Sequence, residues 1–351
     1  MPASSPAVIP SIEDTPLSRK RFRWRELLLS LLVTLFICGV LYAQLDKGAF
    51  TAGLRAARYE LLLPVFALHG LAWWLRTWRW SILLSPFRVV RVNRLLRLVM
   101  IGAMISSFVP ARAGEFWRAY TLGRQEGFSR STVFGTIVVE RIFDGLSLAL
   151  LASIAALAIG PTRAMTVLIG SAMLGFTGAL GLIAIMTWSQ RARIMVIDLA
   201  IRITPKRYND FVKDKLDLFT VGLGALRDGR VLFGAVFVSF VIWAVDTLAY
   251  WVLGIAFGLD VNPAAYLLVV AVGNLAIAIP VSLGGVGPFE FFVQQALVLL
   301  GVSASVGLAY ALFFHGISLC LVVGSAVVFV WSRTQIGLYR EPVRPMMTPL
   351  D

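Results

Sequence analysis

The sequence predicts an all-α, polytopic membrane helical bundle, and three observations lead there. Of 351 residues, 58% are hydrophobic and 15% charged, where a soluble domain carries roughly 25% charged residues. Six apolar runs, at about 26–45, 61–84, 133–159, 164–188, 231–257 and 304–331, are each near or above the roughly 20 residues that cross a hydrocarbon core as helix. Two further regions, at about 95–126 and 264–301, each hold a pair of shorter apolar pieces around a Pro/Gly break. The expectation is six full spans plus two re-entrant broken-helix elements.

Taken in order, residues 1–18 are rich in Pro and Ser and predict a disordered tail. One membrane domain is expected over 19–335, and a short C-terminal tail over 336–351. The cluster from Arg19 to Arg25 precedes the first apolar run. Leu41-Tyr42-Ala43 lacks a small residue two positions before Ala43, so the run reads as a retained helix rather than a cleaved signal peptide. Unit one, 61–159, consists of a span, a broken region and a span; unit two, 231–331, repeats the plan. Between them, 190–230 interleaves nine Lys/Arg with apolar residues and predicts an amphipathic helix on the membrane surface.

Charge placement sets the orientation. With both termini cytoplasmic, 24 of the 32 Lys and Arg fall on the cytoplasmic side, Arg118 among them, and four fall outside, as the positive-inside rule requires. In that layout the two units start on opposite sides and are inverted copies. Spacing agrees: Arg76 to Pro110 and Asp246 to Pro280 both span 34 residues (76 to 110, 246 to 280). Discontinuous helices at the interface of inverted repeats are the usual plan of a carrier, with its site near the bilayer midplane.

The net charge of +13 is therefore assigned to loops facing an anionic lipid surface, and no nucleic-acid partner is expected. Cys38 and Cys320 lie within apolar runs, and His69 and His315 in separate ones, so neither a disulfide, a metal site nor a cofactor is expected. A homo-oligomer is compatible with the sequence and not required by it.

The site is expected at the two breaks. Ser107-Phe-Val-Pro110-Ala-Arg112-Ala-Gly114-Glu115 and Pro280-Val-Ser-Leu-Gly284-Gly285-Val-Gly287-Pro-Phe-Glu290 each interrupt a hydrophobic run and restart a helix with a carboxylate in or near its first turn. Pro110, Gly114, Pro280, Gly284, Gly285 and Gly287 are the hinge or break positions. An ionisable group at membrane depth costs roughly 2.5–3.5 kcal/mol on insertion scales and needs a partner or a wet cavity. Such groups are Arg76, Arg79, Arg112, Glu115, Glu140, Arg141, Asp144, Asp246, Glu290 and His315. Glu140 and Asp144 share a helix face and need a cation between them; Arg112 is the first choice and Arg76 the second. The network either locks helices together or lines a headgroup path. Glu115 and Glu290 read equally as helix caps or as protonatable carboxylates. Helix N-termini aimed at the midplane attract phosphate, and Arg112 beside one makes an anion cradle. Trp73, Trp74, Trp78 and Trp80 around Arg76 and Arg79 read as an interfacial belt with cation–π packing.

Pro110-Ala-Arg-Ala-Gly-Glu115, Val138-Val-Glu-Arg-Ile-Phe-Asp144 and Pro280-Val-Ser-Leu-Gly-Gly-Val-Gly287 with Glu290 resemble the flippase-like integral membrane family. That family includes the transmembrane, lipid-translocating part of lysylphosphatidylglycerol synthase. The resemblance covers about 20–335 and implies a multi-pass protein of the bacterial inner membrane that moves a phospholipid, isoprenoid or hopanoid lipid. It carries Arg112, Glu115, Glu140, Arg141, Asp144 and Glu290 over as site positions; at 315 His stands where such sequences typically have arginine. No aminoacyl-transferase domain follows residue 331, so synthesis of lysylphosphatidylglycerol is not expected. The function expected is lipid translocation by alternating access along Arg76, Arg112, Glu115, Glu140, Arg141, Asp144, Asp246 and Glu290. The rivals are a non-transporting scaffold for envelope biosynthesis and an intramembrane enzyme acting on lipid headgroups.

Overall fold

A computed structural model describes residues 24–43, 45–109, 112–127, 129–160, 163–204, 209–278 and 282–336. The expected N-terminal tail, residues 337–351 of the expected C-terminal tail, and the break residues Pro110 and Pro280 lie outside the described residues. Helices and no strands occur among the described residues. In chain order they are α1 Trp24–Ala43, α2 Lys47–Ala56, α3 Leu62–Leu84, α4 Val92–Phe108, α5 Ala113–Glu126, α6 Arg130–Ile159 and α7 Arg163–Trp188. They continue as α8 Gln190–Ile203, α9 Asn209–Leu223, α10 Gly229–Ala256, α11 Tyr266–Ala278, α12 Pro288–Leu299 and α13 Ala304–Ile336.

Every expected span coincides with a long helix. By length and composition alone, three described segments suffice to cross a membrane: Ile169–Trp188, Gly229–Ala256 and Ala304–Trp331. A fourth arises if α1 and α2, bent by 91°, count as one span. Helices α3 and α6 are 23 and 30 residues long but carry Arg76, Arg79, Glu140, Arg141 and Asp144. Their outward faces are nonetheless apolar: Leu63 is 76% exposed and Leu157 79%, with Leu174 of α7 at 78% and Phe233 of α10 at 73%. Exposed apolar area on that scale calls for a lipid rather than an aqueous surround, and the chain is an integral multi-pass membrane protein.

Chain chemistry sets the helix ends. Asp46 caps α2 by accepting from the amides of Gly48 and Ala49. Gly127, Gly160, Gly258 and Gly301 follow α5, α6, α10 and α12 with positive φ, the left-handed step that lets a helix stop. The two broken regions are helical hairpins, α4–α5 and α11–α12, each limb too short to cross alone.

Helices α3 and α10 form the most extensive interhelical contact. Around that pair, α4 packs on α13 and α11 packs on α6, so the first limb of each hairpin lies against the last helix of the other unit. The short 3-10 turn Leu283–Gly285 of the second break packs on α4, and a Cβ on Gly284 would sit 2.8 Å from the Ser107 carbonyl oxygen. The two breaks therefore meet. The main core joins Val65 and Leu75 of α3 to Leu148, Ala152 and Ala155 of α6, and to Ile242, Tyr250 and Leu253 of α10. Val269, Val293 and Tyr310 close it from α11, α12 and α13.

The segment 190–230 is not one surface helix but two, α8 and α9, followed by a 3-10 turn over Gly224–Arg227. Helix α9 packs along α6 so closely that a Cβ on Gly222 would fall 2.2 Å from the Thr132 carbonyl oxygen. Leu223, Ala225 and Leu226 are buried in a core with Leu83, Val139 and Ile142.

Candidate functional site

At the meeting point of the breaks lies a cavity of about 420 Å³. Its wall includes Arg76, Arg112, Glu115, Glu140, Arg141, Asp144 and Asp246, and also Gly284 and Gly285. Seven of the eight expected path residues thus share one chamber. Glu290 stands behind the wall: its Oε2 accepts from the Gly287 amide at 2.7 Å and its Oε1 meets His315 Nδ1 at 2.5 Å. Glu290 is thus a helix cap that also holds a wall residue, His315.

The densest charge cluster belongs to unit one. Glu140, whose side chain is 2% exposed, faces three guanidinium groups: Arg141 Nη2 at 2.6 Å, Arg118 Nη2 at 3.2 Å and Arg79 Nη2 at 3.5 Å. Asp144 takes Arg79 Nη1 at 2.7 Å and Arg141 Nη1 at 3.4 Å. Glu115 pairs with Arg112 at 3.0 Å and lies 3.6 Å from Arg141 Nε. The cations shared by Glu140 and Asp144 are therefore Arg79 and Arg141, the latter on the cavity side, and neither Arg112 nor Arg76 serves there. Arg79 also donates to Ser239 Oγ at 2.8 Å, which ties α3 to α10. A buried charge is retained only where partners replace its lost hydration; the net pairs every charge, while Arg79 Nε and Nη2, Arg118 Nε and Arg141 Nε stay buried without a hydrogen bond among the described residues.

Arg118 also departs from expectation. It is 5% exposed, lies over the Trp80 ring at 4.1 Å and pairs with Glu140, so it belongs to the site and not to the loop charges. Its position three residues after Glu115 puts both on one helix face, which was the available signal. The tryptophan belt divides as well. Trp74 and Trp78 stack on each other and are exposed, while Trp80 is fully buried and Trp73 lies beside Arg76.

On the opposite wall Arg76 Nη2 donates to Asp246 Oδ2 at 2.5 Å, joining the units through α3 and α10. Asp246 Oδ1 meets His69 Nδ1 at 3.0 Å, and His69 Nε2 meets Ser318 Oγ at 3.1 Å. His69 was overlooked; with Trp73 and Arg76 it forms an i, i+4, i+7 stripe on α3 that marks one polar face. Arg112, at φ 51, is the non-glycine residue with positive φ among those described. There it bridges the breaks, because its Nη2 donates to the Ile277 carbonyl at 3.3 Å, one of the orphan carbonyls at the end of α11. No group of three or more metal-ligating side chains occurs among the described residues.

The family described as the lysylphosphatidylglycerol synthase TM region matches residues 27–326, a stretch that contains both hairpins and every residue of the cavity wall. The chain belongs to this family. Among curated proteins it is similar to the glycosyltransferase AglD of Haloferax volcanii, with 26% identity over 85% of this chain and 53% of that protein. It is also similar to a UPF0104 membrane protein of Methanothermobacter thermautotrophicus, 24% identical over 82% of this chain and 89% of that protein. The chain thus spans about half the length of the first relative. No solved structure matches it.

Proposed function

We propose that this protein translocates a lipid across the cytoplasmic membrane by alternating access, with the headgroup passing through the charged chamber while the tails stay in the bilayer. The observation that carries the reading is the chamber itself, about 420 Å³ and walled by charged residues of two units whose interrupted helices meet at it. Broken helices around a midplane site, in units of opposite orientation, are the architecture of carriers. The reciprocal packing of α4 on α13 and α11 on α6 supports reading the units as inverted repeats. Arg141 and Arg112, with side chains 35% and 28% exposed, are the cations that reach the headgroup. Arg79, fully buried, and Arg118 hold the carboxylates in place. The substrate is a phospholipid, isoprenoid or hopanoid lipid, and both chain termini lie in the cytoplasm.

Arg141 gives the sharpest test, because without it Glu140 keeps Arg79 and Arg118 as partners and the bundle stays intact. Purified Arg141→Ala in vesicles, followed by dithionite quenching of a fluorescent phospholipid, is expected to fall to the protein-free rate while the melting temperature is nearly retained. Wild-type translocation in both Arg141→Ala and Arg112→Ala would remove the assignment. A scaffold would instead tolerate both changes and fail when the surface of α8 is altered.

A further inference from the structure

Chemistry on a lipid needs a nucleophile beside a base, and three helices bring such side chains together. His69 of α3 meets Asp246 Oδ1 of α10 through Nδ1 and Ser318 Oγ of α13 through Nε2, and all three line the chamber. The tautomer follows from the neighbours. The Trp73 indole N–H, which can only donate, lies 3.2 Å from His69 Nε2. Nε2 is therefore the acceptor, and Nδ1 carries the proton given to Asp246. The Ser318 hydroxyl lies 3.1 Å from the same nitrogen and shares its lone pair with the Trp73 N–H. Asp246 is fixed from its far side by Arg76 Nη2, and Arg76 Nη1 is buried without a hydrogen-bond partner. Phe314, Leu319 and Val322 give the adjoining wall apolar surface.

The geometry points to a Ser318–His69–Asp246 acyl-transfer site that takes a carboxylic ester of a membrane lipid. As Ser318 Oγ bonds to the ester carbonyl carbon, its proton passes to His69 Nε2. The carbon–oxygen bond to the lipid alcohol then breaks, and His69 returns the proton to the departing oxygen. Water, activated by the same nitrogen, attacks the acyl-serine and releases a free carboxylic acid, so that ester and water become alcohol and acid. Asp246 holds the ring and balances the transient imidazolium.

A merely structural serine, pinning α13 to α3, would make the same hydrogen bond to His69 but would not react. The full chain in detergent is treated with diisopropyl fluorophosphate, and the adduct is located by intact mass and peptide mapping. One adduct on Ser318 is expected, absent from Ser318→Ala and formed about 100-fold or more slowly in His69→Gln. Ser318→Cys treated with iodoacetamide reports access to the position. Alkylation of that variant with no adduct on the wild type overturns the proposal, as does an adduct that persists in Ser318→Ala. Failure of both reagents overturns it as well, because a lipid ester cannot reach a side chain that iodoacetamide cannot. The outcome is separable from translocation, which is read on Arg141 and Arg112 by a different assay.

Discussion

Helices α6 and α13 handle charge in different ways at matching positions. Arg141 stands 14 residues past Gly127 and His315 14 residues past Gly301 (127 to 141, 301 to 315). Asp144 and Ser318 both follow at 17 (127 to 144, 301 to 318). On α6 these positions join a net in which Glu115, Glu140 and Asp144 are shared among Arg79, Arg112, Arg118 and Arg141. On α13 the same positions hold one His–Glu pair and one serine hydroxyl. At these positions unit one therefore concentrates ion pairs, and unit two carries a single His–Glu contact and a hydroxyl.

The largest effect that tests this contrast comes from neutralising one carboxylate in each unit. Glu140→Gln leaves Arg79 and Arg118 with one carboxylate fewer in a buried net, and removing one partner of a buried ion pair costs about 3–5 kcal/mol. Glu290→Gln keeps an amide oxygen for the Gly287 amide and an uncharged contact for His315, and is expected to cost about 1–2 kcal/mol. Melting curves in one detergent measure both. Equal losses would mean that unit two carries as much buried charge coupling as unit one.

The hairpins differ in a second way that glycine substitutions read out. In unit one a Cβ on Gly114 would lie 1.7 Å from the Gly102 carbonyl oxygen, so two backbones touch where α4 crosses α5. In unit two a Cβ on Gly273 would meet Val293 Cγ2 at 2.7 Å, a side chain that can turn aside. Overpacking costs typically about 1–3 kcal/mol; Gly114→Ala is expected at or above the top of that range and Gly273→Ala near the bottom. The same melting experiment ranks them, and a reversed order would displace the rigid backbone contact from unit one.

The helices and breaks were legible in the sequence because each answers to a local signal, such as an apolar run, a proline or a glycine after the last turn. The partners of the charges were not. Arg79 meets Asp144 across 65 residues, Arg76 meets Asp246 across 170, and His69 meets Ser318 across 249. A list of costly charges says that each needs a partner without saying which. Arg118 was misplaced because a basic residue shortly before a loop reads the same whether it meets headgroups or lies over a buried tryptophan. The segment 190–230 has the alternation of a surface helix, and Leu223 and Leu226 do not disclose whether lipid or α6 covers them. Ser318 gave no signal at all, since serines are common in membrane helices and this one acquires meaning only from His69.

The smallest expected change sharpens the comparison most, because it separates stability from function. At the first break Arg112 occupies the left-handed region (φ 51), whereas the second break places Gly284, Gly285 and Gly287 at positive φ. A side chain in that conformation costs about 1–2 kcal/mol, which glycine avoids. Arg112→Gly removes that strain and at the same time the pair with Glu115 and the bond to the Ile277 carbonyl. The pair's side chains are 28% and 19% exposed, so its loss costs somewhat more than the about 0–1 kcal/mol of a surface pair and is offset by the strain released; the variant is expected to melt within a few degrees of wild type. Its lipid translocation is expected to fall as far as that of Arg112→Ala. A glycine variant that melts well below wild type would make Arg112 a structural clamp between the breaks. One that keeps full translocation would show that the strained arginine does not meet the headgroup, leaving Arg141 as the cation that does.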